Sequence, residues 1–305
     1  MFQPNEQDID QVYKLVVLST YAYKDPQDFR KEVTELNFTN CWGGWEYIYY
    51  FWTSFGSQAQ AYICRDNCNN IYVVFRGSQT TNHWKTNIAC YTIPTNDPAS
   101  RLHAGFMEAA ENMWKHKMTQ CSEIIKGPYK RLEEYHCLGE VLANLRNDRP
   151  AKIWFTGHSR GGALAIIMAN YYTDMYTHDK NVFVYTFGCP NATNDNFARI
   201  FNEKFQCLTP EARAFSYVIY NDVVPYLNLV SSGKCGFLCA ITQDNKVLFG
   251  NTARQNYLKE RRDNGLDGEV RSIDSYFSAH SIYSYVHALC EARNMTKAGQ
   301  VQRVI

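Results

Sequence analysis

The sequence predicts an α/β protein with a mostly parallel central sheet and helices on both faces. Two observations support this fold class. Apolar strands alternate with segments of helical periodicity along the chain. Four of the strands end in a short polar or glycine-containing motif, namely FRGS (75–78), GHSRGG (157–162), FGCP (187–190) and YND (220–222). Because the carboxyl ends of the strands in an open α/β sheet form the ligand crevice, we expect these motifs to converge.

The first half of the chain begins with a helical pattern and continues into strands. Apolar residues recur on one helical face from residue 6 to 22, and a turn dense in Asn and Asp indicates a hairpin. Gly127-Pro128 is expected to separate two helices. The predicted elements are a helix at 6–22, strand material at 45–52, hairpin strands at 59–65 and 71–76, and helices from about 104 and near 132–145.

The second half alternates between strand and helix. The predicted elements are strands at 152–156, 182–187 and 215–220, helices from the GHSRGG turn to about 172 and near 196–205, and a last helix from about 280 to 292. Residues 227–272 are polar and rich in Gly and Asn, so we expect a variable excursion from the fold there.

Length and composition favour one globular domain over residues 1–305. Hydrophobic residues make up 45% of the chain and charged residues 20%, which are ordinary globular values, and a formal net charge of +1 gives no reason to expect nucleic acid. The first ten residues lack the apolar run of a signal peptide, and no later stretch reaches the roughly 18 apolar residues of a spanning helix. We therefore expect no transmembrane segment and a cytoplasmic location, or at least one reached without a signal peptide.

The eleven cysteines are interpreted mainly as reduced thiols, since the number is odd and no export signal is present. Cys64/Cys68 and Cys235/Cys239 are each four residues apart, like half of a metal site. Neither pair has close His or Cys partners at the spacing of a zinc finger. We expect no metal and no cofactor.

Gly157-His158-Ser159-Arg160-Gly161 matches the pattern G-x-S-x-G, with a predicted strand before it and a helix after it. The pattern needs a turn so sharp that side chains two residues either side of the serine would collide, hence the glycines. Ser159 would stand at a helix N-terminus, where N–H groups and the helix dipole stabilise a developing oxyanion. This context predicts Ser159 as a nucleophile; an ordinary structural turn is the alternative.

A serine nucleophile needs a base and a carboxylate that orients the base, and after such an elbow they follow in the order acid, then histidine. Asp222 comes directly after a strong apolar strand, whereas the other acids beyond Ser159 lie in polar stretches. An ordinary Asx turn is the alternative reading of Asp222. Of the two later histidines, we prefer His280 at a loop-to-helix junction over His287 in mid-helix.

Acyl transfer also needs donors directed at the tetrahedral oxygen. The backbone N–H of Arg160 is one candidate, and the N–H and hydroxyl of Ser78 are the other. A serine that merely ends a strand is the alternative for Ser78. His158 is interpreted as a structural hydrogen-bonding residue within the elbow.

These motifs resemble the fungal-type lipases known as class 3 lipases. The segments that carry the resemblance are VVFRGSQT (73–80), Trp84, HAGF (103–106), FTGHSRGGALA (155–165), TFGCP (186–190), YNDVVP (220–225) and HSIY (280–283). The resemblance implies an α/β-hydrolase fold, a triad of Ser159, Asp222 and His280, and Ser78 with Arg160 in the oxyanion hole. It also implies hydrolysis of lipid carboxylic esters, either triacylglycerols or phospholipids. A lipase-like binding or signalling module without catalysis, or an acyltransferase using the same triad, are the alternatives.

The segment 82–101 corresponds to the lid of that family. Trp84, Ile88, Tyr91 and Ile93 are candidates for an apolar inner face that opens at a membrane or lipid-droplet surface, and a fixed flap over the cleft is the alternative. The sequence departs from the family at Arg160, where Leu is usual. Its side chain is expected either to pair with a carboxylate or to favour substrates that carry an anionic group.

Overall fold

The computed structural model describes residues 6–35, 44–53, 59–78, 91–115, 119–125, 137–148, 150–177, 179–209, 211–226, 229–230, 233–250, 255, 259 and 278–298. The helices in these ranges are α1 (Glu6–Tyr21), α2 (Pro26–Glu35), α3 (Ala104–Lys115), α4 (Leu138–Asp148), α5 (Arg160–Met175), α6 (Asp195–Lys204) and α7 (Ile282–Lys297). The strands are β1 (Trp45–Thr53), β2 (Gln60–Asp66), β3 (Asn70–Phe75), β4 (Thr92–Pro94), β5 (Arg101–His103), β6 (Thr119–Ile125), β7 (Lys152–His158), β8 (Val182–Phe187), β9 (Ala214–Ile219), β10 (Phe237–Ile241) and β11 (Val247–Phe249).

Nine of these strands form one sheet in the order β11-β10-β9-β8-β7-β3-β2-β1-β6. The five central strands, from β10 to β3, are parallel to one another, and the strands at both margins are antiparallel. The prediction of a mostly parallel sheet is confirmed. The carboxyl ends of β3, β7, β8 and β9 lie side by side, so the sheet brings the four terminal motifs to one edge.

Helices cover both faces of the sheet, as predicted. Alternate residues of β3 show the division: Val73 joins the core beneath α3 to α6, and Val74 joins the core beneath α1, α2 and α7. Helix α5 is buried along most of its length because it packs on β7 and β8 and is covered in turn by α3. The elbow therefore leads into one of the most enclosed helices of the described chain.

Two elements differ from the sequence prediction in the first half. Helix α2 was not predicted, although Asp25 and Pro26 provide a helix start: Asp25 Oδ1 accepts hydrogen bonds from Gln27 N–H and Asp28 N–H, both at 3.0 Å. The prediction of only helices between 104 and 145 is wrong, because β6 lies between α3 and α4 and pairs antiparallel with β1. That strand forms because it pairs with β1, about 70 residues earlier in the chain, and the local pattern of apolar residues does not indicate such a distant partner.

The expected excursion at 227–272 is also corrected in part. Strands β10 and β11 lie within it and extend the sheet, with β10 parallel to β9 and β11 antiparallel to β10. Their turn contains Asn245 at φ 59°, a left-handed conformation that asparagine tolerates. Residues 227–228, 231–232, 251–254, 256–258 and 260–272 of the excursion lie outside the described residues.

Seven cysteines in the described ranges have free thiols: Cys64, Cys137, Cys189, Cys207, Cys235, Cys239 and Cys290. No group of three or more His, Cys, Asp or Glu side chains in those ranges is arranged to hold a metal ion. Among the helices that the structure describes, none combines the length and the apolar character needed to cross a bilayer.

Candidate active site

Ser159 stands at a sharp turn between β7 and α5. Its backbone has φ 57° and ψ −128°, a conformation that a non-glycine residue adopts only under strain. Two main-chain hydrogen bonds hold the turn, with Ser159 N–H donating to Phe187 O at 2.9 Å and Gly162 N–H donating to Ser159 O at 2.9 Å. The surrounding structure thus maintains a strained serine at the N-terminus of a buried helix.

The two elbow glycines are required by close backbone contacts. A Cβ atom on Gly157 would lie 2.4 Å from the carbonyl carbon of Gly161, and one on Gly161 would lie 2.2 Å from Phe75 O. Both distances are far below van der Waals contact, and the neighbouring atoms belong to the backbone. The strand, turn and helix approach as closely as the G-x-S-x-G pattern predicts.

Asp222 and His280 meet at the same edge of the sheet. Asp222 follows β9 and is inaccessible to solvent, and its Oδ2 lies 2.8 Å from His280 Nδ1. Its other oxygen, Oδ1, accepts a hydrogen bond from Val224 N–H at 2.9 Å, which is the Asx turn considered as the alternative. The two readings of Asp222 are therefore compatible, because the turn orients the carboxylate toward the histidine.

The candidate nucleophile and the candidate base are both enclosed. Ser159 is 2% exposed and His280 is 6% exposed. Ser159 Oγ makes no hydrogen bond to a residue in the described part of the chain. Hydrogen bonds between a nucleophile and its base are often long before substrate binds and shorten in the complex. Proton transfer between these two residues thus stays a prediction.

The two oxyanion candidates lie beside the elbow. The register of β3 with β7 pairs Phe75 with Gly157, so Ser78 and Ser159 follow neighbouring strands at the same edge of the sheet. Arg160 is the first residue of α5, and N–H groups in the first turn of a helix have no partner within the helix. The roles of Ser78 and Arg160 as donors to a bound carbonyl oxygen stay predictions.

Comparison with known proteins agrees with this geometry. A family model for class 3 lipases matches residues 72–231, which is more than half of the chain. The chain belongs to the class 3 lipase family. The matched range contains Ser78, Ser159, Arg160 and Asp222 and ends before His280.

Curated relatives of this family member include plant and fungal enzymes. Triacylglycerol lipase OBL1 of Arabidopsis thaliana is 25% identical over 245 residues, covering 70% of this chain and 44% of the relative. Phospholipase A1-IIalpha of the same plant is 24% identical, covering 72% and 48%. The lipase of Rhizomucor miehei is 26% identical, covering 58% and 42%. The chain thus spans less than half of the length of these relatives.

Solved structures show the α/β-hydrolase fold. Rhizomucor miehei triacylglyceride lipase aligns with a TM-score of 0.60 and 20% identity, covering 81% of this chain and 84% of that one. Yarrowia lipolytica LIP2 lipase aligns with a TM-score of 0.58 and 17% identity, covering 79% and 81%. The fold expected from the resemblance is confirmed.

His287 is the alternative candidate for the base in this member of the class 3 lipase family. It lies within α7, seven residues after His280. Its side chain is exposed, whereas His280 is buried beside Asp222 just before the helix begins. The structure brings Asp222 to His280, which favours His280 as the base.

Tyr285 is a site residue that the sequence reading missed. Its hydroxyl donates to Asp222 Oδ2 at 2.6 Å and accepts a hydrogen bond from Ile219 N–H at 3.3 Å, and its side chain is fully buried. Tyr285 therefore connects α7 to the strand that carries Asp222. Its position was a signal, since Tyr285 lies in the first turn of the helix that follows His280.

His158 fills the space behind the base. Its Nδ1 lies 2.8 Å from Tyr23 Oη, and its ring centroid lies 4.6 Å from that of His280. Burial and the nearby His280 hold the pKa of His158 well below its usual range, so this ring is neutral at neutral pH. The expectation of a structural hydrogen-bonding histidine agrees with this contact.

The Arg160 side chain is half-buried at the start of α5. Burial lowers its pKa to about 10, because removing a guanidinium from water disfavours the charged form. The group still carries a positive charge at neutral pH, at the positive end of a helix dipole. Pairing with a carboxylate and contact with an anionic group therefore both stay predictions for this side chain.

The predicted lid lies partly outside the described residues, which exclude Trp84 and Ile88. Tyr91 is 64% exposed, and Ile93 in β4 is partly buried against the core. The β4–β5 hairpin is attached to the start of α6 by Asn194, whose Oδ1 accepts from Arg101 N–H at 3.0 Å and whose Nδ2 donates to Ala99 O at 2.8 Å. For residues 91–101 these contacts favour the fixed flap over an opening lid.

Proposed function

We propose that this chain is a serine hydrolase that cleaves carboxylic esters of lipids through an acyl-enzyme on Ser159. One observation carries the proposal: a strained serine stands at a helix N-terminus, and the ring of the preceding residue, His158, lies against His280 of a buried Asp222–His280 pair at 2.8 Å. A backbone held in a sparsely populated conformation is characteristic of functional sites. Family membership and relatives named as triacylglycerol lipase and phospholipase A1 support the same reaction class.

In the acylation half-reaction, Ser159 Oγ attacks the ester carbonyl carbon while His280 Nε2 accepts the hydroxyl proton. Asp222 holds His280 through Nδ1–H, which keeps Nε2 available as an acceptor and stabilises the imidazolium. The tetrahedral intermediate collapses when its C–O bond to the alcohol breaks. His280 then returns the proton to the departing alkoxide, and the acyl group stays on Ser159.

Deacylation repeats these steps with water. His280 takes a proton from water as the water oxygen attacks the acyl carbon, and Ser159 leaves with the proton that His280 returns. In both halves the negative oxygen accepts hydrogen bonds from Arg160 N–H and from Ser78. One such donor is typically worth about 100- to 1,000-fold in rate.

The substrate class is the ester of a lipid, either a triacylglycerol or a phospholipid. The aromatic side chain of Tyr91, exposed next to the β4–β5 hairpin, is suited to transient contact with a membrane or lipid-droplet surface. No nucleic acid partner is proposed, because the formal net charge is only +1.

A scan of ester substrates tests the proposal. Chromogenic esters of increasing chain length, triacylglycerol emulsions and phospholipid vesicles are compared for the wild type and Ser159→Ala. We expect turnover by the wild type and a loss of several orders of magnitude in the variant. A fluorophosphonate should label the wild type once, at Ser159. Absence of both turnover and labelling would support the alternative of a binding or signalling module.

The acyltransferase alternative uses the same residues and is separated by the products. Adding an alcohol or lysolipid acceptor at fixed water activity shows whether the acyl group leaves mainly as free acid or as a new ester. Hydrolysis predicts free acid as the main product under these conditions.

A further inference from the structure

A chain of buried contacts joins the N-terminal part of the molecule to the base. Tyr23, in the turn after α1, places its hydroxyl 2.8 Å from Nδ1 of His158. The His158 ring lies in turn against His280, with centroids 4.6 Å apart and planes inclined by 33°. Its edge also faces Tyr285, at a centroid distance of 5.7 Å. His158 therefore touches both groups that surround the carboxylate of Asp222.

The same tyrosine hydroxyl contacts the arm that carries Ser78. A Cβ atom on Gly77 would lie 1.9 Å from Tyr23 Oη, so the hydroxyl lies directly against the backbone at this residue. Gly77 immediately precedes Ser78 and is itself buried. One hydroxyl thus contacts the oxyanion arm on one side and, through His158, the base on the other.

The protonation states suit a rigid, uncharged support. Burial raises the pKa of Tyr23 well above its usual range, against a small opposing effect of Arg76, so its hydroxyl keeps its proton. Burial and His280 keep His158 neutral. Asp222 Oδ2 lies 2.8 Å from His280 Nδ1 and accepts a hydrogen bond from the Tyr285 hydroxyl. His280 therefore accepts the serine proton next to a neutral ring rather than a second positive charge.

We infer that Tyr23 and His158 are positioning residues that hold the oxyanion arm and the base at a common separation from Ser159. The inference deepens the proposed function and rests on it. Tyr23 lies outside the residues that match the family, 72–231, and acts through His158 and Gly77 without touching the reacting atoms. Positioning of this kind affects the rate of the chemical step more than substrate binding.

The test compares Tyr23→Phe with Tyr172→Phe. Tyr172 is a buried tyrosine whose hydroxyl donates to Asp179 Oδ2 at 2.8 Å on the far end of α5, so its variant loses a similar hydrogen bond away from the site. We expect kcat on a short-chain ester to fall about 5- to 10-fold in Tyr23→Phe, with KM within about twofold, since a neutral hydrogen bond contributes on this scale. Tyr172→Phe should keep the wild-type kcat, although its thermal stability should be similar to that of Tyr23→Phe.

A second readout needs no turnover and separates this inference from the proposed function. In protein labelled with ¹⁵N-histidine, the Nδ1–H proton of His280 should give a slowly exchanging signal that broadens in Tyr23→Phe and in His158→Phe but not in Tyr172→Phe. Loss of kcat and broadening are both required. An unchanged His280 signal or an unchanged kcat in folded Tyr23→Phe would overturn the inference, whereas an inactive wild type with the expected broadening would overturn only the proposed function.

Discussion

His280 Nδ1 lies 2.8 Å from Asp222 Oδ2, although the two residues are 58 positions apart in the chain. Asp222 is fully buried and also receives the Tyr285 hydroxyl and Val224 N–H. Together with His280, these donors hold the buried carboxylate of Asp222 in a single orientation. The imidazole of His280 is therefore held in place before substrate arrives, as its proposed role as the base requires.

His280→Ala is expected to be as damaging as Ser159→Ala, lowering kcat/KM by several orders of magnitude, because the triad acts as a unit. The double variant should be no worse than either single variant. His287→Ala is the matched control, since it removes an exposed histidine seven residues further along the chain, within α7. Near-normal kcat/KM in His280→Ala with a strong loss in His287→Ala would reverse the assignment.

Tyr285→Phe is expected to lower both stability and rate. It removes a donor from Asp222 and leaves Ile219 N–H buried without its acceptor, at a cost of about 1–3 kcal/mol in the free energy of unfolding. Tyr283→Phe, two residues earlier on α7 and 69% exposed, serves as control. The free energy of unfolding in urea and kcat are measured for both variants. Equal values for Tyr285→Phe and Tyr283→Phe would contradict the proposal that Tyr285 holds Asp222 in place.

Gly161→Ala is expected to destabilise the fold by about 3 kcal/mol or more, because the new methyl group would meet Phe75 O at 2.2 Å and neither backbone is free to move. Gly105→Ala is the control, since its nearest neighbour is an atom of His103 at 3.5 Å. Alanine is also the better helix former there, so that variant should stay within about 1 kcal/mol of the wild type. The free energy of unfolding of each variant is measured by urea denaturation. Similar free energies for Gly161→Ala and Gly105→Ala would argue against close backbone contacts at the elbow.

Arg160→Leu is expected to lower activity on phospholipids more than on neutral esters of the same acyl chain, because a half-buried guanidinium attracts an anionic head group. With its pKa lowered to about 10, the group is charged at pH 7 and loses its charge only as the pH rises through about 10. The wild-type preference should therefore hold at neutral pH and decline above about 10. Equal losses on both substrate types would leave Arg160 with a structural role.

The sequence alone predicted the strands, turn and helices that carry the candidate site, because these depend on local geometry. The elbow needs glycines at 157 and 161 whatever surrounds it, and strand, turn and helix follow one another within about 25 residues. The same reasoning predicted Asp222 from its place after a strong strand and His280 from its place before a helix. These are short-range signals, and the fold confirms the strands and helices on which they depend.

Only the tertiary structure decided which distant side chains support the site. Tyr23 is 135 residues from His158 in the chain, and Tyr285 is 63 residues from Asp222, so no local pattern reports either hydrogen bond. Strand β6 was missed for the same reason, because it exists by pairing with β1. A side chain's own sequence neighbourhood determines the backbone it stands on, whereas the partner of a buried polar group depends on how whole layers pack together.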